Sequence, residues 1–364
     1  MMDFVARSIP TVLGRARSQL AVLCPALGLD EREAEILAFM RLVLGAQAER
    51  EVGAEHFASD VCDDHSPYEF SISVDANGAE LRVLMETIGE SPTLASTHEA
   101  SAAMTATLAA RLNLPLARLR QVEELFDDAA PSGLFSRWHA LEFRPGRPPS
   151  VKLYLNPQIR GPAGAASAIE EALRRLGLAH AWADLRQRAR RGEDDEWKYF
   201  SLDLDDGATA RVKVYVRHHG LRCEELETYL AHTRDYAPGA ATEFCRAMLG
   251  SHEPFASKPV FTCLAWADPT RPPKPTVYAP IAGYVSDDDE ARARISTFMA
   301  NKGLRTRSYE AGLDALLPSA SAKPIQSYAS VRWDAGGPRM TVYMSPNAYA
   351  EHATAEPTAT PRIP

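Results

Sequence analysis

The stretch Arg211-Val212-Lys213-Val214-Tyr215-Val216-Arg217 alternates polar residues with valines. Successive side chains of a β-strand point to opposite faces, so this pattern predicts a strand with Arg211, Lys213 and Tyr215 on one face. A half-buried strand usually turns such a charged face to water. Solvation would be a sufficient explanation for an isolated segment, but closely related segments recur along the chain.

These related segments form a repeat. The tyrosines of the four strongest copies are separated by 61, 63 and 65 residues, and a near-constant period indicates a repeated structural unit. The other copies are Val151-Lys152-Leu153-Tyr154-Leu155, Pro275-Thr276-Val277-Tyr278-Ala279 and Met340-Thr341-Val342-Tyr343-Met344, with Glu80-Leu81-Arg82-Val83-Leu84 as a weaker fifth member.

A second strand-like run precedes each copy across a turn rich in Gly, Pro, Asp and Asn, which predicts five β-hairpins. Helical runs lie between the hairpins, so the repeated unit is ββαα. Five units can close into a ten-stranded antiparallel barrel of the α+β class, with helices outside and an interior wide enough for a ligand. The preceding runs are 68–74, 138–143, 198–203, 260–265 and 327–333.

The composition is that of an ordinary soluble globular protein. The chain has 364 residues, is 45% hydrophobic and 24% charged, and carries a net charge of −8, which argues against nucleic acid or an anionic membrane as its main partner. No apolar run approaches the roughly 18 residues of a membrane span, and the N-terminus has no signal-peptide pattern. The five scattered cysteines indicate neither a disulfide framework nor a zinc site. We expect a cytoplasmic location.

The repeat favours one large domain. Residues 1–60 have apolar side chains at helical spacing, which predicts a helical lead-in packed on the outside of the barrel. The barrel is predicted to span residues 61–350. Residues 351–364 are rich in Ala, Thr and Pro and have little to bury, so they predict a disordered tail.

A family resemblance rests on Ser66-Pro67-Tyr68-Glu69-Phe70-Ser71 with Glu80-Leu81-Arg82, Val151-Lys152-Leu153-Tyr154-Leu155-Asn156-Pro157, Arg211-Val212-Lys213-Val214-Tyr215 and Met340-Thr341-Val342-Tyr343. These segments resemble aromatic prenyltransferases of the dimethylallyltryptophan synthase type, whose fold is called the ABBA or prenyltransferase (PT) barrel. The resemblance spans about residues 60–350. It implies metal-independent transfer of a dimethylallyl group from dimethylallyl diphosphate to an aromatic acceptor, most often the indole of tryptophan or a tryptophan-derived compound, with no cofactor required.

Cations on the predicted inner face suit this chemistry. Ionising an allylic diphosphate requires stabilisation of a leaving group of about three negative charges, and preorganised cations in a water-poor cavity provide it. Arginine can bind phosphate through two hydrogen bonds, whereas lysine acts as a point charge. The predicted diphosphate-binding residues are Arg82, Lys152, Arg211, Lys213 and Arg339.

Tyrosines on the same face suit the second requirement, because an allylic carbocation must be shielded from water without being trapped by a nucleophile. Aromatic rings stabilise a desolvated cation by roughly 1–2 kcal/mol each. Tyrosines in strands more often pack in a core or at a rim, but four at one register of a repeat favour a functional belt. Its predicted members are Tyr154, Tyr215, Tyr278 and Tyr343.

Three further residues are candidates for work on the acceptor. The resemblance assigns to Glu69 the role of accepting the indole N–H hydrogen bond, although a lone strand glutamate is usually a solvated face residue. His139 is a candidate general base because a histidine pKa near neutrality suits removal of the final proton, with a structural role as its competitor. Lys198 is a candidate partner for the carboxylate of an amino-acid acceptor. The remaining strand charges, Glu142, Asp203 and Arg332, are interpreted as face or rim residues.

No required metal is predicted, since the acidic clusters contain no Asp-Asp-x-x-Asp motif of the kind with which magnesium-dependent prenyltransferases hold diphosphate. Two alternatives remain open: a phenolic acceptor such as tyrosine, and a non-catalytic barrel that binds an anionic small molecule. Glu69 and the tyrosines argue against the binding barrel, which would need only the cations. The expected partners are small molecules, with no nucleic acid or membrane, and the protein is a monomer or a homodimer.

Overall fold

The computed structural model describes residues 10–53, 57–317 and 324–349. Within these ranges the chain forms ten β-strands in one closed barrel and ten α-helices. The predicted barrel is therefore confirmed. The predicted tail at 351–364, and residues 1–9 and 54–56 of the predicted lead-in, lie outside the described ranges.

Every strand is antiparallel to both of its neighbours, and the last hairpin closes the barrel onto the first, with Phe70 opposite Met344 and Val74 opposite Met340. The strands are β1 (Tyr68–Asp75), β2 (Gly78–Glu86), β3 (Arg137–Phe143), β4 (Ser150–Leu155), β5 (Asp195–Asp203), β6 (Val212–His218), β7 (Val260–Trp266), β8 (Lys274–Ala279), β9 (Gln326–Asp334) and β10 (Gly337–Met344).

Helices cover the outer face of the barrel. A helix pair follows each of the first four hairpins, as the repeat predicts. The helices are α1 (Val12–Ala26), α2 (Glu33–Leu44), α3 (Leu94–Leu112), α4 (Ala117–Arg120), α5 (Ala165–Arg175), α6 (Ala179–Arg188), α7 (Cys223–Leu230), α8 (Ala240–Leu249), α9 (Asp288–Asn301) and α10 (Arg307–Leu316). Among the described residues, no helix is both long and apolar enough to cross a membrane.

Alternation along each strand separates the hydrophobic core from the lumen. Val212, Val214 and Val216 of β6 are fully buried in the layer between barrel and helices. Lys213 and Tyr215, the residues between them, face the inside of the barrel. On β6 the inner face is thus also buried at Lys213 and Tyr215, which is the opposite of a solvated strand face.

The first two helices complete the outer layer next to the first hairpin. Helix α1 packs on α10, and α2 packs on β2. The contact is close at Gly312 of α10, where an added Cβ would lie 2.1 Å from Ile72 Cδ1 and 3.3 Å from Leu23 Cδ2. This glycine lets α10 approach both β1 and α1, so the N-terminal helices are held directly on the barrel.

Candidate active site

Four tyrosines form a belt across the inside of the barrel. Tyr154, Tyr215, Tyr278 and Tyr343 lie on β4, β6, β8 and β10, and the ring centroids of successive members are 5.7, 5.9 and 5.8 Å apart. This tyrosine belt borders two chambers of different chemistry, one on each side. The structure therefore brings together all four tyrosines that the sequence singled out.

The upper chamber, on the side of the loop that precedes β1, is predominantly aromatic and has a volume of about 220 Å³. Its rings come from the first strand of each of the last four hairpins. Each of these rings is the cross-strand neighbour of a belt tyrosine. The pairs are Trp138 with Tyr154, Tyr199 with Tyr215, Phe261 with Tyr278, and Tyr328 with Tyr343. Tyr199 and Phe261 stack at 5.8 Å with an interplanar angle of 11°.

These four rings were missed by the sequence analysis, although a signal was available. They occupy one register of the five first strands, just as the belt occupies one register of the second strands. The corresponding residue of the first hairpin is Glu69, which stands opposite Leu84. A carboxylate thus replaces the fifth ring of this series and faces an otherwise aromatic chamber.

Glu69 is almost completely buried, with 6% of its surface exposed. Ser327 Oγ donates a hydrogen bond of 3.2 Å to its Oε2. Burial raises the pKa of Glu69 to about 8, against the lowering effect of that hydrogen bond. When ionised, the carboxylate has strong capacity to accept a hydrogen bond from an N–H group placed among the rings.

The lower chamber, on the other side of the belt, is strongly cationic and has a volume of about 50 Å³. All five predicted diphosphate-binding residues line it, together with Arg332, Cys263 and Thr276. The five are Arg82 of β2, Lys152 of β4, Lys213 of β6, Arg339 of β10 and Arg211, which directly precedes β6.

Two carboxylates, with only 13% and 12% of their side-chain surfaces exposed, lie between these cations. Glu142 accepts hydrogen bonds from Lys152 Nζ and makes an ion pair of 2.9 Å with Arg82 Nε. Asp203 accepts from Lys213 Nζ at 2.6 Å and from Arg211 Nε at 2.7 Å. Although burial acts in the opposite direction, these cations lower the pKa values of both carboxyl groups, so Glu142 and Asp203 are anionic.

The interpretation of Glu142, Asp203 and Arg332 as face or rim charges is therefore wrong. Each lies four residues after an inward ring on its own strand, and a period of two places it on the same inner face. Each of the three charges has a partner of opposite sign. Arg332 pairs with Asp334 at 2.7 Å, and the carboxylates of Glu142 and Asp203 reduce the repulsion among the cations of the chamber. Arg339 likewise pairs with Asp75 and Glu80.

His139, the predicted general base, lines neither chamber, so the structure does not bring it together with the other predicted site residues. Its Nε2 is 2.9 Å from Thr105 Oγ1 of α3, in the layer outside the barrel. Burial, and then the Arg137 cation, lower the pKa of His139 to about 3, so its ring is neutral. The neighbouring Trp138 is the inward residue, since adjacent strand residues point to opposite faces.

Lys198 lines the upper chamber, as expected of a group that contacts the acceptor. It lies where the β5–β6 register shifts between Trp197 and Tyr199, and this irregularity lets both Lys198 and Tyr199 contribute to the chamber. Lys198 Nζ is 3.4 Å from Asp60 Oδ2 and 5.6 Å from the centroid of the Tyr199 ring.

No group of three or more His, Cys, Asp or Glu side chains able to hold a metal ion occurs in the part of the chain that the structure describes. The acidic residues of the lower chamber are instead engaged with arginine and lysine side chains.

A ten-stranded barrel that joins a cationic chamber to an aromatic one through a tyrosine belt is the architecture of a prenyltransferase barrel. The family model for tryptophan dimethylallyltransferase matches residues 22–311. The chain belongs to this family and is an aromatic prenyltransferase.

Solved structures agree with this assignment. The chain is similar to 6-dimethylallyltryptophan synthase from Micromonospora olivasterospora in complex with DMASPP and Trp, with 31% identity, a TM-score of 0.87 and coverage of 93% of this chain and 98% of that chain. It is similar to 5-dimethylallyl tryptophan synthase from Streptomyces coelicolor, with 29% identity, a TM-score of 0.87 and coverage of 98% and 100%. AnaPT from Neosartorya fischeri, with 17% identity, a TM-score of 0.73 and coverage of 93% and 95%, shares the fold.

Proposed function

We propose that this enzyme transfers the dimethylallyl group of dimethylallyl diphosphate to the indole ring of tryptophan by direct aromatic substitution, without a metal ion. The observation that carries the proposal is the division of the lumen: cations lie below the tyrosine belt, and rings with a single buried carboxylate lie above it. Tryptophan-bound relatives support tryptophan as the acceptor.

In the first step the C–O bond of the allylic diphosphate breaks, and its electron pair leaves with the diphosphate. The lower chamber stabilises this charge, with Arg82, Lys152, Arg211, Lys213 and Arg339 as its ligands. Four of these cations are already held by the carboxylates of Glu142 and Asp203, so little reorganisation accompanies the reaction.

The tyrosine belt then receives the allylic cation. Its rings face the boundary between the chambers and stabilise positive charge through their π-faces. Burial raises the pKa values of Tyr154, Tyr215, Tyr278 and Tyr343, which keeps their hydroxyls protonated and poorly nucleophilic. The belt therefore shields the cation without trapping it.

Glu69 acts on the acceptor in the upper chamber. Its carboxylate accepts the indole N–H hydrogen bond and stabilises the positive charge that the ring acquires as it attacks the allylic carbon. A new C–C bond forms between the ring and the allylic carbon, and the ring proton is released to solvent, so that the electron pair of the C–H bond restores aromaticity. Lys198 binds the carboxylate of the amino acid, a role that its place in the lining of this chamber supports.

The test is incubation of the purified protein with dimethylallyl diphosphate and either L-tryptophan or L-tyrosine, with products separated and identified by mass spectrometry and NMR. We expect a C-prenylated tryptophan and a loss of about 10²-fold or more in a Glu69→Gln variant, the range in which proton-accepting groups contribute. Prenylation of tyrosine alone would replace indole by a phenol. Absence of product with both acceptors would contradict the proposed function.

A further inference from the structure

Two carboxylates lie below the lower chamber, at the end of the barrel lumen. Asp75 is six residues after Glu69 on β1, and Glu80 is two residues before Arg82 on β2, so a period of two turns both side chains toward the lumen. Both are almost entirely withdrawn from water, and neither lines the lower chamber. Two anions thus stand beside the site of a third anion, the diphosphate, which they would repel.

These carboxylates hold two arginines of the lower chamber. Arg82 Nε donates a hydrogen bond of 2.7 Å to Glu80 Oε1, and Arg339 Nη1 lies 3.3 Å from both Glu80 oxygens. Arg339 Nη2 donates to Asp75 Oδ2. Arg339 Nε is a buried nitrogen for which the described residues provide no hydrogen-bond acceptor. The terminal nitrogens of Arg339 are therefore fixed from below, and its Nε remains a donor for a ligand of the chamber.

Arg144, which directly follows β3, binds the same two carboxylates. Its Nη2 is 2.9 Å from Glu80 Oε2 and 3.2 Å from Asp75 Oδ2, and its Nε donates to Glu80 Oε2 at 3.2 Å. Arg144 lines neither chamber, and 23% of its side chain is exposed. It therefore shares each carboxylate with an arginine of the lower chamber without reaching the ligand site itself.

Arg144 also decides the net charge of this corner of the lumen. Although burial acts in the opposite direction, hydrogen bonds and the neighbouring arginines lower the pKa values of Asp75 and Glu80, so both are anionic. Their two negative charges balance the positive charges of Arg82 and Arg339. The guanidinium of Arg144 supplies the one positive charge in excess, which attracts a diphosphate as a neutral corner would not.

We propose that Arg144 is a positioning residue for the diphosphate: it holds Asp75 and Glu80 from below, so that Arg82 and Arg339 keep their orientation and the corner keeps a net positive charge. This inference rests on the proposed function, because it takes the ligand of the lower chamber to be a diphosphate. Without Arg144, the two carboxylates draw the chamber arginines toward themselves and away from the ligand.

The experiment measures the binding of inorganic pyrophosphate by isothermal titration calorimetry in EDTA, together with KM for both substrates. In an Arg144→Met variant we expect the pyrophosphate affinity to fall about 10-fold and KM for dimethylallyl diphosphate to rise by a similar factor, since one positive charge beside the site is lost. KM for L-tryptophan should stay as in the wild type, which also shows that the variant is folded. A role confined to stability would not separate the two KM values.

Two further variants separate charge from geometry. Arg144→Lys keeps the charge but not the planar fork that spans both carboxylates, so we expect an affinity about threefold below the wild type. This milder variant also replaces Arg144→Met in the assay if the latter does not fold, and unchanged affinity in it would then overturn the proposal. Arg144→Met combined with Glu80→Gln removes one charge of each sign and should return the affinity to within about threefold of the wild type.

Arg175 of α5 provides a matched control. It also pairs with two carboxylates, at 2.8 Å with Glu124 and at 2.7 Å with Glu171, and 28% of its side chain is exposed. It belongs to a helix of the outer layer and lines neither chamber. Arg175→Met should leave the pyrophosphate affinity and both KM values as in the wild type.

The outcomes separate this inference from the proposed function. If the wild type binds pyrophosphate and Arg144→Met binds it equally tightly, the role of Arg144 is overturned and the proposed function stands. The same conclusion follows if Arg144→Met raises KM for both substrates alike, or if the double variant binds no more tightly than Arg144→Met. If the wild type neither binds pyrophosphate nor consumes dimethylallyl diphosphate, the proposed function fails and this inference fails with it.

Discussion

Replacing Glu69 by glutamine should make the protein more stable and less active. The substitution keeps the size of the side chain and removes its charge. In the folded protein, burial raises the pKa of Glu69 to about 8, compared with an ordinary value of 4.5. The proposed function requires the charged form of this side chain, and the folded state disfavours that form.

The sign and size of the stability change follow from these two pKa values. Between pH 4.5 and about 8 the folded state holds a proton that the unfolded state has lost, so Glu69 lowers the stability progressively as the pH rises through this window. Full ionisation corresponds to a cost of at most about 5 kcal/mol. We expect Glu69→Gln to raise the unfolding free energy by about 2–5 kcal/mol at pH 8 and by almost nothing at pH 4.5.

The same titration should control catalysis. Because the ionised carboxylate accepts the indole N–H, wild-type kcat/KM for tryptophan should rise about tenfold per pH unit up to about pH 8. The Glu69→Gln variant should be about 10²-fold less active at pH 8, and its rate should not follow this ionisation.

Thermal melts and initial rates between pH 5 and 9 test both statements, and the chain offers a matched control. Glu86 is a second buried glutamate whose pKa burial raises to about 8, but it does not line either chamber. Glu86→Gln should show a similar pH-dependent gain in stability while keeping the wild-type pH dependence of kcat/KM. A Glu69→Gln variant that is no more stable than the wild type at pH 8, or that keeps the wild-type pH–rate profile, would refute this reasoning.

Three other variants test the belt, the lower chamber and the outer packing. Tyr215→Leu removes about 1–2 kcal/mol of cation–π stabilisation, so it should reduce kcat about 10-fold and release more dimethylallyl alcohol by water capture. Tyr215→Phe keeps the ring and therefore this stabilisation. Rates and product analysis of both variants test the expectation. Asp203→Asn leaves Lys213 uncompensated, so urea unfolding at pH 7 should show a loss of about 3–5 kcal/mol that added pyrophosphate partly restores. This loss should shrink as the pH falls below about 4, because the unfolded wild-type chain then takes up a proton at Asp203, whereas in the folded protein, against the effect of burial, the Lys213 and Arg211 cations lower the pKa of this carboxyl group and keep it anionic. Equal stability with and without pyrophosphate would contradict this expectation. Gly312→Ala places a Cβ against Ile72 and should lower the unfolding free energy by about 1–3 kcal/mol without changing KM for either substrate.

The barrel and its belt were predictable because they depend on local alternation and on a repeat. Side chains alternate between the two faces of any β-strand, so the valines of β6 lie on one face and Lys213 and Tyr215 on the other. The same pattern recurs every 61 to 65 residues, which implies that the tyrosines of the repeats lie at the same height along the barrel. Sequence alone thus placed the belt and all five cations on the inner face.

The counter-ions were not predicted because a carboxylate on an isolated strand is expected to face water. Glu142 and Asp203 can face the lumen only because cations from neighbouring strands offset the cost of removing them from water, and those neighbours are fixed by the closed barrel. His139 was misplaced by a single position, since strand parity turns it outward and Trp138 inward. Asp60 lies in a loop, where no periodicity indicates the direction of a side chain.

The most direct test of the central claim is incubation of EDTA-treated enzyme with dimethylallyl diphosphate and L-tryptophan, read by mass spectrometry for the gain of one C5H8 unit. Because arginine and lysine side chains occupy the place at which a metal would otherwise neutralise the diphosphate, we predict product in EDTA at the rate seen with added Mg²⁺. Product that forms only with Mg²⁺, or no prenylated tryptophan under either condition, would contradict the central claim.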